Sequence, residues 1–334
     1  MMYYHTYAYS QVQNQIDDFY KMIVESGIDV PPCSNIESAF LQVWDKVDKF
    51  NKGIYSLSID EYDQFRVFTG VFNVSKWIDR VKSHPEFNKL KNHIKLISSS
   101  QFIQSMTASD DNSRKFFEFV IALNLLRFVD EIDVDDPTGS NGKTKIPDIR
   151  FRINSKWYAI ECKCISTTNP EGIFSKITEA SEQITEYKTD KFEIQFGIPM
   201  LSVSGQKFYD GLFPINPFAN YLIPLNEFQS RVMRLYSVLQ ASQYGTELEK
   251  TKYAKAVNGI GLFANLVTKI QWGINQFATT DLKFCDYFEI KSDPRENLAR
   301  KIIKEISHQI QLQDFLLYDW KNIDTNTVDE WVNH

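Results

Sequence analysis

Asp148, Glu161 and Lys163 are the residues whose types and spacing could do chemistry: two acids that could share a metal ion, and an amine that could face an anion. The chain around them reads as two strands joined by a tight turn. Residues 148–153 alternate polar and apolar, and residues 156–164 are rich in aromatic and β-branched types. Asn154-Ser155 between them is turn chemistry, because Asn tolerates left-handed backbone and both side chains bond local backbone. If that pair closes a hairpin, Ile153 faces Lys156. Stepping outward one residue at a time on both strands then brings Asp148 opposite Glu161. Alternation puts Asp148, Arg150, Arg152, Trp157, Ala159, Glu161 and Lys163 on one face, and Ile149, Phe151, Ile153, Tyr158, Ile160, Cys162 and Cys164 on a core face. The sheet is expected to be buried on one side and polar on the other. Two facing carboxylates, with β-carbons about 4.5–5.5 Å apart, destabilise a hairpin unless something lies between them. Their repulsion is about 1 kcal/mol in water and about 4 kcal/mol at a dielectric near 20. A divalent cation reverses that sign. Hard cations take carboxylate oxygens plus water, and Lys163 supplies a positive charge for an anionic substrate.

Pro147-Asp148 followed by Glu161-Cys162-Lys163 resembles the PD-(D/E)-x-K signature of the restriction-endonuclease-like nuclease superfamily. The resemblance covers roughly residues 110–205. It implies that Asp148 and Glu161 ligate Mg²⁺ (or Mn²⁺), with a metal-contacting backbone carbonyl at Cys162. It also implies that Lys163 orients or activates the attacking water and offsets charge in the transition state. The competing reading is a surface hairpin whose acids are merely solvated, since short motifs need structural context.

Two further features extend the resemblance. The helix expected from residue 113 to about 128 is apolar almost all round, and Glu118 is its only charge between Lys115 and Arg127. A carboxylate there needs a partner. Either Glu118 pairs with Arg114 one turn earlier, or it points at the metal cluster, as a Glu on the helix before the first strand does in many members of the resembled family. Gln183 and Tyr187, one turn apart on the helix after the second motif strand, resemble the Q-x-x-x-Y element of the family's exonuclease-like branch and would contact nucleic acid. The plain alternative is two exposed residues on one helix face.

Formal net charge is −6 and the pI is near 5.5, which gives no global footprint for polyanion binding. Positive charge is local: Lys143, Lys145, Arg150 and Arg152 crowd the hairpin and are candidates to contact a phosphate backbone. The preceding stretch Pro137-Thr138-Gly139-Ser140-Asn141-Gly142-Lys143-Thr144 looks superficially like a phosphate loop. It has Pro137 where Gly is required and is followed by a strand pattern, so nucleotide binding is rejected. Cys33, Cys162, Cys164 and Cys285 have neither disulfide-framework nor zinc spacing. His84 and His93 are read as surface or capping residues rather than ligands. The N-terminus is unlike a signal peptide and no apolar run approaches membrane-spanning length, so a cytoplasmic chain without a membrane partner is expected.

The elements that must position these residues follow from periodicity. Residues 9 to about 105 read as helical, with a first helix ending near Gly27 and a second capped by Ser34-Asn35-Ile36-Glu37. Further helices are expected at 59–68, 73–82 and 86–98. After the helix at 113 come strands at 128–134, 148–153 and 156–164, and a helix at 171–188. A strand at 192–203, a helix at 226–243, strands at 256–267 and 284–290, and a helix at 294–311 follow. This order is an α/β fold: a restriction-endonuclease-like mixed β-sheet core flanked by helices, with an N-terminal helical region. The expected division is 1–105 as a helical packing or recognition region and 106–334 as the nuclease domain. The expected activity is Mg²⁺-dependent phosphodiester hydrolysis, in DNA rather than RNA, in restriction or defence against foreign DNA. The alternative is a catalytically inactive nucleic-acid-binding or assembly module on the same fold. A homodimer is left open.

Overall fold

In a computed structural model the chain forms an eight-stranded mixed sheet with helices on both faces. The structure describes residues 4–7, 9–32, 34–52, 62–97, 111–136, 146–188, 191, 193–203, 208, 210–212, 218–271, 277–310 and 313–317. The strands are β1 (Tyr4–Tyr7), β2 (Glu131–Val134), β3 (Ile149–Ile153), β4 (Lys156–Ile165), β5 (Ile194–Val203), β6 (Gly259–Gln271), β7 (Phe277–Glu289) and β8 (Gln313–Leu317). Their spatial order is β1-β8-β7-β6-β5-β4-β3-β2. The β4-β5-β6 centre is parallel; β2-β3-β4 and β6-β7-β8 are antiparallel, and β1 lies parallel to β8. The helices are α1 (Tyr9–Glu25), α2 (Asn35–Asn51), α3 (Tyr62–Val81), α4 (Lys91–Ile97), α5 (Asp111–Leu125), α6 (Pro170–Glu186), α7 (Leu222–Gln240), α8 (Gln243–Lys250) and α9 (Glu296–Ile310).

Alternation along the central strands divides the core in two. On β5, Ile198 and Met200 join one cluster, while Leu201 and Val203 join the other. The first cluster holds the apolar stripes of α1–α5 and α9, including Ile16, Val43, Phe72, Ile94, Phe117 and Ile303. The second holds those of α6, α7 and α8, including Ile177, Phe228 and Leu248. This is a sheet between two helical layers, the arrangement that lets a parallel centre bury both of its faces.

Local signals place the helix ends. Gly27 adopts φ 67 just past α1, where a residue with a β-carbon would be strained. The Ser34 hydroxyl accepts the Glu37 N–H at 3.2 Å and starts α2. The His84 ring caps a short 3-10 turn, Pro85–Leu90, by accepting from Glu86 N.

Several boundaries differ from expectation. The separate helices expected at 59–68 and 73–82 are, from Tyr62 to Val81, one helix, α3; Val71 and Phe72 between them are buried, so packing carries the helix through Gly70. Helix α7 begins at Leu222, with Pro224 in its first turn, where the missing N–H costs nothing. Strands β6 and β7 run well beyond 256–267 and 284–290 as one long hairpin, and the edge strands β1 and β8 were not expected. Short edge strands need a neighbour to exist, and pairing between chain ends leaves no local trace. Among the described residues no helix is long and apolar enough to cross a membrane. Among the described residues no disulfide involves Cys162, Cys164 or Cys285; Cys33, Lys143, Lys145, the loop 137–145 and the tail from Thr325 lie outside the described residues.

Candidate active site

The hairpin forms in the expected register. Asn154 and Ser155 both have positive φ, 51 and 65, which is the turn whose twist matches two antiparallel strands. Ile153 pairs with Lys156 and Ile149 with Ile160, so Asp148, one residue ahead of β3, stands opposite Glu161. The two side chains reach across reciprocally. Asp148 Oδ2 accepts the Cys162 N–H at 2.8 Å, and Glu161 Oε2 accepts the Asp148 N–H at 3.1 Å. Each acid is thus fixed by the other's strand.

The face carrying them is not a wet surface. Helix α6 packs on β4 there, and Glu161 is 1% and Asp148 8% exposed. Sequence alternation identified the face but could not show that a later helix packs on it. From α6, Glu179 and Gln183 meet Lys163, whose ammonium lies 2.8 Å from Glu161 Oε1, 3.0 Å from Glu179 Oε1 and 3.3 Å from Gln183 Oε1. Gln183 also donates to the Ile146 carbonyl at 2.9 Å, tying α6 to the segment leading into Asp148. Gln183 is therefore brought to the site. Tyr187 is buried beside Ala159 and Ile194, with the Arg150 guanidinium 5.9 Å from its ring centre.

From the other layer, α5 delivers Glu118, 3% exposed. Its partner is Lys115, one turn earlier, at 2.8 Å, and the same ammonium lies 3.7 Å from Asp148 Oδ1. The side chain of Arg114, the partner considered from sequence, is outside the described residues. His93 comes from α4 and is buried at 2% exposure, with Nε2 3.7 Å from Glu118 Oε2. It is neither a surface nor a capping residue, which corrects the sequence expectation. Lys115, His93 and Glu179 are site residues that sequence reasoning missed. For Lys115 the one-turn spacing to Glu118 was an available signal. For His93 none existed, because α4 meets α5 only in three dimensions.

Arg150 and Arg152 lie on the expected face with different surroundings. Arg150 is buried, paired with Asp133 of β2 at 2.7 Å and donating to the Pro147 carbonyl at 2.6 Å. It clamps the turn that presents Asp148. Arg152 pairs with Glu131 at 3.0 Å near the Trp157 ring and is partly exposed.

The electrostatics follow from burial. Asp148 is pushed up to about 8, by burial and then by the charge of Glu118. Glu161 is pushed up to about 8 by burial and by Asp148, and Glu118 to about 7, chiefly by burial. For Lys115 and Lys163 burial works against the charge, but their carboxylate neighbours outweigh it and hold both ammonium groups on. Burial and then Lys115 push His93 down to about 4, so its ring is neutral near pH 7.

Compared with family models, curated proteins and solved structures, the chain matches none. The site must therefore be read from its own chemistry. Among the described residues no three His, Cys, Asp or Glu side chains are gathered so as to hold a metal ion. The donors present still suit a hard cation that keeps most of its water. Two buried, mutually repelling carboxylates and the adjacent Cys162 peptide are oxygen ligands of the kind Mg²⁺ takes.

Proposed function

We propose that the chain is a Mg²⁺- or Mn²⁺-dependent nuclease of the PD-(D/E)-x-K type, hydrolysing phosphodiester bonds in DNA. The observation that supports it best is the facing of Asp148 and Glu161, which were paired from the hairpin register and lie buried with the Lys163 amine on Glu161. Unfavourable burial of two acids side by side has a simple use if a dication belongs with them. The mixed sheet with a helix, α5, before the first motif strand and a helix, α6, after the second is compatible with a restriction-endonuclease-like core.

In this reading Asp148, Glu161 and the Cys162 carbonyl hold the ion, and Glu118 adds negative charge beside them. A bound Mg²⁺ would supply Lewis-acid stabilisation of phosphoryl oxygens and a more acidic water. Lys163, kept as an ammonium by Glu161 and Glu179, faces the charge that grows on the phosphorane and helps place the water. Gln183 holds Lys163 and the Ile146 carbonyl in one frame. Arg150 keeps the Pro147–Asp148 turn rigid. Arg152 remains the candidate for backbone contact, with Lys143 and Lys145. Restriction or defence against foreign DNA is the biological setting proposed.

The test is incubation of plasmid and single-stranded DNA with Mg²⁺, Mn²⁺ or EDTA, beside Lys163→Ala and Asp148→Asn. Cleavage should need the metal and fall at least about a hundredfold in either variant, the scale of losing one transition-state charge contact. Cleavage that survives both substitutions, or no cleavage of any DNA or RNA, would overturn the proposal. Binding without cleavage would point to a nucleic-acid-binding module.

A further inference from the structure

Each partly buried ammonium of the site lies near a pair of carboxylates. Lys163 lies 2.8 Å from Glu161 and 3.0 Å from Glu179. Lys115 lies 2.8 Å from Glu118 and 3.7 Å from Asp148. Among the described residues, Asp148 and Glu161 are the facing pair with no amine bridging them directly. They are linked instead through each other's backbone N–H groups. Resting on the metal-dependent reading above, we propose that Lys115 takes the place of a second cation. The site then binds one divalent ion, at Asp148 and Glu161, with Glu118 as the partner of Lys115 rather than a ligand.

The charge balance favours one ion. Once the acids are ionised, as a bound dication would require, Glu118, Asp148 and Glu161 set three negative charges against the positive charges of Lys115 and Lys163, leaving one negative charge among these five groups. Without the ion, burial favours their protonated forms. One divalent ion turns this into one positive charge, which an anionic phosphodiester offsets. Two ions would leave three positive charges in a buried site, where uncompensated charge is strongly disfavoured. Of the surrounding groups, Asp135 adds negative charge near Lys115, while the others are matched. Glu179 has Lys176 as well as Lys163, and Arg150 is matched by Asp133. Glu118 is hydrogen-bonded to Asp148 as well as to Lys115, and among the described residues no three His, Cys, Asp or Glu side chains are gathered so as to hold a metal ion. Lys115 and Glu118 lie one turn apart on α5, so the helix itself prepares this pair before any ion arrives.

The experiment is a Mn²⁺ titration of the full-length, metal-stripped chain by calorimetry, with bound ions counted by electron paramagnetic resonance. The wild type should bind one ion. Lys115→Met should either admit a second ion or bind the one at least about tenfold more tightly, the scale of removing a nearby like charge. Lys115→Arg, which keeps the charge, should bind one ion with wild-type affinity. Should Lys115→Met not fold, Lys115→Gln serves the same comparison, and the wild-type count alone decides stoichiometry. Two ions in the wild type, or one ion bound no more tightly after Lys115→Met, would overturn the assignment of Lys115 while leaving metal dependence standing. No ion in any variant would overturn the metal reading and this inference with it.

Discussion

Buried carboxylates held above their ordinary range make the folded chain bind protons more tightly than the unfolded one. Asp148 and Glu161 at about 8, and Glu118 at about 7, start from ordinary values of 3.8 and 4.5. Their contribution to stability is therefore full at low pH and lost as pH rises through the folded values. His93, pushed down to about 4, acts oppositely: its contribution is present above its ordinary 6.5 and lost below it. A comparison from about pH 6.5 to about pH 8.5 isolates the carboxylates. With chelator present, the melting temperature should fall by a few degrees across that window, and Mg²⁺ should remove the fall. Asp148→Asn keeps an oxygen for the Cys162 N–H but lowers the repulsion. It should raise the metal-free melting temperature and flatten the profile. A wild-type profile already flat in chelator would show that the carboxylates do not share a strained site. The facing of Asp148 and Glu161 was legible because it depends on residues close in sequence. The pairing of Lys115 with Asp148 was not, because it joins a helix to a strand start across the fold.

At the scale of elements, the site depends on a tight turn and on one helix pressed onto the sheet. Ser155 sits at φ 65, a left-handed conformation that glycine adopts more easily. Ser155→Gly should stabilise the hairpin by about 0.5–1 kcal/mol, read as a higher denaturation midpoint, since Asn-Gly is the preferred pair for this turn. Destabilisation would mean that the Ser155 side chain does more than occupy the turn. Gly197 of β5 allows α6 to approach: a β-carbon there would meet Ile184 Cγ2 at 2.6 Å. Gly197→Ala should cost about 1–3 kcal/mol by overpacking. Because α6 also carries Glu179 and Gln183 to Lys163, cleavage should fall along with stability; cleavage intact in a destabilised variant would separate the packing of α6 from its role at the site. The existence of α6 was expected after the strand break at Thr167 to Pro170. Its closeness to the sheet was not, since a glycine in a strand pattern signals only some close approach.

For the whole molecule, the helices of the first hundred residues share their core with the sheet. Val12, Phe40, Phe72 and Ile94 fall in the same buried cluster as Phe117, Phe151 and Phe263. Asn73 of α3 donates to Asp281 of β7 at 2.8 Å, and the Lys283 ammonium lies 5.4 Å from the Trp77 ring centre. A chain lacking residues 1–105 would expose that apolar face, at about 25 cal/mol for each Å² uncovered. It should lose cooperative urea unfolding. A truncated chain that still melts in one sharp transition would establish the rest as independently folding.

The amino-acid sequence by itself determined the hairpin, its register, the two faces of its strands and the apolar stripes of the helices. These are set by alternation, turn residues and spacing within a few positions. Only the tertiary structure decided that the polar face lies under α6, that His93 and Lys115 stand beside Glu118, and that the chain ends add strands to one edge. Those outcomes depend on which distant apolar surfaces pack together, a sum of many weak contacts that no short stretch of chain encodes.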